Sequence, residues 1–190
     1  GFDGLGRTNR THAVDNAGNG DVYVDTVYDK GRVWKVSNPY CMVSGNPRCT
    51  ATPVWTENTY DTAGRLWKVT APDSAPVITT YGVVTTGGQI GTVTTVSDQA
   101  GKLRRTVTDA LGHLIRVDEP TVSPSSTPTP APTLGPVNSP LQATYYEYDI
   151  LNNLTKVKQN WTGSSFEQTR TFVYDALSRL ETATNPESGT

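Results

Sequence analysis

One short pattern recurs along this chain, and it limits the fold more than any other feature. An Asp stands at Asp3, Asp29, Asp61, Asp98, Asp109, Asp149 and Asp175, and each opens a related turn. The cleanest copy runs Tyr60-Asp61-Thr62-Ala63-Gly64-Arg65-Leu66-Trp67-Lys68-Val69-Thr70-Ala71-Pro72. Three residues after the Asp comes Gly6, Gly64, Gly101 or Gly112, with Asn152 and Ser178 in the last two copies. In Asp29-Lys30-Gly31-Arg32, which is one residue shorter, Gly31 takes that place. Gly accepts φ > 0 without a steric cost, and Asn accepts it better than most residues, as the left-handed position of a short hairpin loop demands. The Asp carboxylate can accept bonds from turn amides. Ser178 is the weakest copy, so its turn is expected to be the most strained or the most differently shaped.

The stretches between turns have a period of two. Val22, Val24, Thr26 and Tyr28 share one face, and Trp34 and Val36 share a face opposite Val33 and Lys35. Pro72, Pro120 and Pro186 follow their Asp at a constant interval and mark a second turn. No segment has helical periodicity. The fold class expected is all-β: an extended antiparallel sheet of repeated hairpins, forming a shell, rod or fibre, with no significant helix. Repeats fill residues 1–120 and 141–190. A Cys-flanked loop at 40–52 interrupts the first block. The Ser/Thr/Pro-rich tract 121–140 separates the two and is expected to be an extended, solvated excursion.

Composition narrows the partners. The net charge is −2 and the 16 Lys and Arg are spread over the repeats, so no basic stripe for nucleic acid is present. No apolar run approaches a membrane span. The chain opens on Gly1-Phe2-Asp3, inside a repeat, and the expectation is a segment or processed product of a longer protein.

Tyr60 to Pro72, Tyr148 to Val157 and Tyr174 to Pro186 resemble the YD-repeat, or RHS (rearrangement hotspot), family, and Asp98 to Pro120 resembles its tandem half-repeats. The resemblance implies long antiparallel β-ribbons that spiral into a hollow shell, as in bacterial toxin complexes, polymorphic toxins and the related teneurin barrels. Three features of the family pattern are absent: the Asp-Pro-x-Gly motif, an aspartyl self-cleavage pair in family context, and a variable toxin tail. The resemblance therefore implies a structural segment of a large secreted or cell-surface bacterial protein. Its partners would be neighbouring repeats, copies of the same protein, cell-surface glycans or an enclosed toxin cargo.

Side chains that could carry chemistry have plainer roles. Cys41 and Cys49 flank Gly45-Asn46-Pro47, and a disulfide there would staple the loop in an oxidising compartment; two unpaired thiols are the alternative. His12 and His113 have no metal-ligand spacing and no nucleophile partner, and no Asp-x-Asp run suggests calcium, so no cofactor and no enzymatic activity are expected. Asp118 and Glu119 are adjacent on an extended strand and point to opposite faces, unlike a catalytic carboxylate pair. Trp34, Trp55, Trp67 and Trp161 are expected to pack across strands, with Trp34 and Trp67 in equivalent places; a stacking surface for sugars is the alternative. Asn9, Asn153 and Asn160 open N-glycosylation triplets, and Ser123, Ser125, Ser126, Thr127 and Thr129 are candidates for O-linked sugars.

Overall fold

The computed structural model of the protein describes residues 1–14, 20–42, 51–86, 89–121, 133–159 and 168–186. Among the described residues the fold is all-β, with antiparallel pairing throughout and no helix. The chain divides into two compact units, Gly1–Ile78 and Thr79–Thr190.

In the first unit the strands are β1 (Arg10–Ala13), β2 (Val22–Asp29), β3 (Arg32–Ser37), β4 (Tyr40–Cys41), β5 (Trp55–Tyr60), β6 (Leu66–Thr70) and the start of β7 (Pro76–Thr86). They pair in the order β1-β2-β3-β5-β6-β7, and β4 adds to β2. Tyr40 and Cys41 are therefore buried sheet residues and not the start of a surface loop, as the 40–52 boundary implied. The reason is polar: Tyr40 Oη donates to Asp25 Oδ2 at 2.7 Å, which draws this segment onto β2. Cys41 is disulfide-bonded; Cys49 and residues 43–50 lie outside the described residues.

The second unit continues with β8 (Gln89–Ser97), β9 (Leu103–Thr108), β10 (Leu114–Asp118), β11 (Ala143–Tyr148), β12 (Leu154–Gln159), β13 (Gln168–Tyr174) and β14 (Leu180–Thr184), each paired with the next. Its core is small: Val84, Val93, Val107 and Ile115, with Val137 packed against them. A Cβ on Gly91 would stand 2.5 Å from Val107 Cγ1, so the absence of a side chain there lets β8 close over this core. Val137 belongs to the 121–140 tract. Residues 133–140 are thus not a solvated excursion: Leu134 is buried, and this strap lies on the sheet. Residues 122–132 lie outside the described residues.

Five hairpins share an irregularity that strict alternation does not foresee. The register slips by one residue and leaves Trp34, Trp67, Ile115, Thr155 and Glu181 unmatched. Each is a bulge six residues after its Asp, or five after Asp29 in the shorter copy. Two residues there oppose one, so the face assignment of Trp34 relative to Val33 and Lys35 does not follow period two.

Candidate functional site

The repeated turn is the most highly constructed local feature of the chain. In the Asp61 copy, the Asp61 amide donates to the Arg65 carbonyl at 2.9 Å, and the Gly64 amide donates to the Asp61 carbonyl at 2.9 Å. Asp61 Oδ1 accepts from the amides of Ala63 and Arg65 at 3.0 and 2.8 Å, and Oδ2 accepts from Arg65 Nε at 2.8 Å. The same backbone bonds and Oδ1 contacts recur at Asp3, Asp98, Asp109, Asp149 and Asp175. The donor to Oδ2 varies: Arg7, Arg65, His113, Asn153 or Arg179. Gly6, Gly64, Gly101, Gly112, Asn152 and Ser178 all have positive φ.

These bonds set the acidity of the carboxyls. Bonds from the amide and side chain of the residue four places on, led by the Arg7, Arg65 and Arg179 amides and by the Asn153 side chain, hold Asp3, Asp61, Asp175 and Asp149 below the usual carboxylate value. At Asp109 partial burial works the other way, but the His113 ring and two amides outweigh it.

Two copies differ from the sequence reading. The Asp29 turn is a two-residue loop, with Lys30 at φ 47° and Gly31 at φ 80°, and Asp29 pairs directly with Arg32 in the ladder. The Ser178 turn is not differently shaped: it keeps every bond of the other copies at φ 60°. The Asp175 carboxylate and Arg179 fix the loop, so Ser178 follows it.

The turns are tied to the strands beside them by tyrosines. Tyr28 Oη donates to the Thr8 carbonyl at 2.9 Å, Tyr60 Oη to the Val33 carbonyl at 2.8 Å, and Tyr148 Oη to the Leu114 carbonyl at 3.1 Å. In each case the ring lies against the residue one place earlier. Arg7 sits 4.1 Å above Tyr28, Arg32 4.9 Å above Tyr60, and His113 stacks on Tyr148 at 4.8 Å. The Tyr before one Asp thus locks onto the residue that closes the preceding turn. Arg7 and His113 each have two tasks, a bond to the Asp of their own turn and a ring contact across to the next repeat. His113 is therefore a half-buried part of the lock and not a free surface residue.

Two polar clusters pin the additions to the sheet. In the first unit Arg10 and Asp25 face each other across strands, with Arg10 Nη2 at 2.7 Å from Asp25 Oδ2 and 3.0 Å from Tyr40 Oη. Arg10 holds the Asp25 carboxyl low, and the bond to Asp25 together with burial raises the Tyr40 hydroxyl. In the second unit Asp118, fully buried, lies between Arg105 and Arg116. Arg105 Nε is 2.5 Å from Asp118 Oδ2, and Arg116 Nη2 is 3.1 Å from the same oxygen. Arg116 Nε and Asp118 Oδ1 lie 2.8 Å apart, close as charges but not aligned as a hydrogen bond. The guanidiniums also donate to the strap: Arg105 to the carbonyls of Gly135 and Pro136, both at 3.2 Å, and Arg116 to that of Val137 at 2.7 Å. Glu119 is exposed beside the buried Asp118.

Other sequence candidates are dispersed. Trp34 and Trp67 are 42% and 41% exposed on strands separated by β5, so they do not form a packed cross-strand pair. Lys35 Nζ lies 4.4 Å from the Trp34 ring and 4.5 Å from that of Trp55. Trp161 lies outside the described residues. His12 stacks on Tyr23 at the exposed end of β1. No group of metal-binding side chains occurs among the described residues. The Asn153 amide nitrogen donates to Asp149 Oδ2 and to Ser178 Oγ, and a glycan, which replaces one of its two hydrogens, would remove one of these bonds; Asn9 is half-buried just before β1. Asn160, Ser123, Ser125, Ser126, Thr127 and Thr129 lie outside the described residues.

No family model matches the chain, and no curated protein matches it. Among solved structures it is similar to TcdB2-TccC3 without the hypervariable C-terminal region, with 17% identity and a TM-score of 0.42 over 95% of this chain and 10% of that one. The chain spans a tenth of that protein's length.

Proposed function

We propose that this chain is a structural YD-repeat segment of a larger secreted or cell-surface bacterial protein, where it serves as part of a β-shell or scaffold and catalyses no reaction. The observation that carries this reading is the repeated turn with its tyrosine lock. Six turns spend their carboxylates on their own amides, and the aromatic and basic side chains spend themselves on the next repeat. A chain built this way extends by adding like units, each covering its neighbour. Its partners are neighbouring repeats or copies of itself. The disulfide at Cys41 supports an oxidising, extracellular setting. Cryo-electron microscopy of the parent protein tests the reading. The expected image is a wall of continuous strand pairing through this segment; a segment folded back as a separate lobe would refute it.

A second reading, adhesion to glycans, is favoured by the exposure of Trp34 and Trp67. Tryptophan fluorescence titrated with oligosaccharides tests it. A change lost in Trp34→Ala supports it, and no change with any sugar removes it.

A further inference from the structure

The buried centre that holds the strap leaves donors over. A guanidinium carries five N–H groups. Arg105 Nε donates to Asp118 Oδ2, Nη1 to the Gly135 carbonyl and Nη2 to the Pro136 carbonyl. One hydrogen on each terminal nitrogen remains, although Arg105 is only 7% exposed. The carboxylate bonded to it, Asp118, is shared with Arg116.

A cleft of about 220 Å³ opens beside this guanidinium, within the second unit. Thr80 and Gly82 of β7, Val93 and Thr95 of β8, Arg105 of β9 and Val137 of the strap border it. Residues two apart on a strand share a face, and Thr95 pairs with Arg105 as Val93 pairs with Val107. The cleft thus sits where the apolar row of the core gives way to a polar one. Gly82 keeps it open. A Cβ there would lie 3.9 Å from Val93 Cβ, an ordinary contact, so packing does not demand a glycine at this place. The Thr80 and Thr95 hydroxyls bond to no other described residue. No acid borders the cleft.

We propose that this cleft binds a single carboxylate group. Its two oxygens accept from the remaining Arg105 hydrogens and from the threonine hydroxyls, and guanidinium–carboxylate bonds are the strong, charge-assisted kind. A monoanion fits better than a dianion, because Asp118 already supplies part of the counter-charge. The volume holds a headgroup and little more, whereas a drug-sized ligand takes about 300–1,000 Å³. A free small acid and the side chain of a glutamate in a peptide carry this same group. The site does not rest on the scaffold reading, which uses the turns and strand edges.

The test is an NMR titration of the isotope-labelled chain with sodium acetate, against sodium chloride at the same ionic strength. The Arg105 Nε–H signal and the Thr80 and Thr95 amides are expected to shift saturably with acetate, with a midpoint on the order of 10 mM. Gly82→Val fills the cleft, and Thr80→Val/Thr95→Val removes both hydroxyls at nearly constant shape. Neither touches a bond to the strap, and circular dichroism checks the fold. Each is expected to weaken acetate binding at least about tenfold. Thr92→Val, on the opposite face of β8, is expected to leave it unchanged. The blocked peptide acetyl-Ala-Glu-Ala-amide separates the sources: binding tighter than acetate assigns the site to a protein side chain, and equal or weaker binding assigns it to a free acid. The absence of a saturable shift with acetate and with the peptide overturns the proposal. So does an equal response to chloride, or a midpoint that Gly82→Val and the threonine variant leave unchanged.

Discussion

Replacing Asp118 by Ala exposes what holds the strap to the sheet. The substitution takes from the buried Arg105 and Arg116 guanidiniums the carboxylate that lies between them. Breaking a buried ion pair by removing one partner costs about 3–5 kcal/mol. That is a large part of the total stability of a domain, about 5–15 kcal/mol. A urea titration followed by circular dichroism reads the loss as a lowered midpoint at an unchanged slope. The structure makes a second, sharper statement. In many proteins a buried charged triad can be replaced by apolar residues with no loss, or with a gain of about 1–4 kcal/mol. Here the same guanidiniums also satisfy the carbonyls of Gly135, Pro136 and Val137. The Pro136 carbonyl keeps the Ser139 amide at 3.0 Å, but those of Gly135 and Val137 lose these donors, and a buried carbonyl left without a partner costs about 1–3 kcal/mol. The variant Arg105→Met/Arg116→Met/Asp118→Leu is therefore expected to remain less stable than the wild type, with residues 134–141 open to protease. An Asp118→Ala variant within about 1 kcal/mol of the wild type, or a triple variant more stable than it, would refute the reasoning.

Three further outcomes follow from the same geometry. Tyr60→Phe removes the bond to the Val33 carbonyl and should cost about 1 kcal/mol in a urea titration, with the Arg32 contact retained. Gly91→Ala places a methyl against Val107 Cγ1 and should destabilise by about 1–3 kcal/mol in the same assay, through overpacking. The carboxyls of Asp3, Asp61, Asp109, Asp149 and Asp175 are all held low in the folded chain. A depressed folded value means that their stabilisation is present above the unfolded carboxylate value, about 4, and is lost as pH falls through the folded values. Thermal melts should thus be flat down to about pH 5 and fall steeply below about pH 4.

The turns were open to reading because their demand falls on few residue types. A carboxylate that must reach two amides, followed by a residue at positive φ, leaves Asp and Gly in the chain as a visible stamp. The bulges left no such mark: Trp34, Trp67, Ile115, Thr155 and Glu181 have no chemistry in common, and only the register reveals them. The Arg105–Asp118–Arg116 centre was within reach of a fuller reading. A hairpin centred on Leu111 with one bulge sets Arg105 opposite Asp118, and Arg116 shares the Asp118 face two residues away. The strap was misread because its Pro, Ser and Gly dominate its composition, while two apolar residues, Leu134 and Val137, decide its packing.

The repeated turn is the unit on which the scaffold depends, and amide hydrogen exchange measured by NMR tests it most directly. The amides of Arg7, Arg65, Lys102, His113, Asn153 and Arg179 each donate to an Asp carboxylate at 2.8–2.9 Å, although they sit in loops that are exposed or only partly buried. Ordinary loop amides exchange rapidly. The account predicts that all six exchange slowly and as a group, and that Asp61→Ala frees, of these six, only the Arg65 amide, together with the Ala63 amide that shares its acceptor. Rapid exchange at these positions in the folded chain would contradict it.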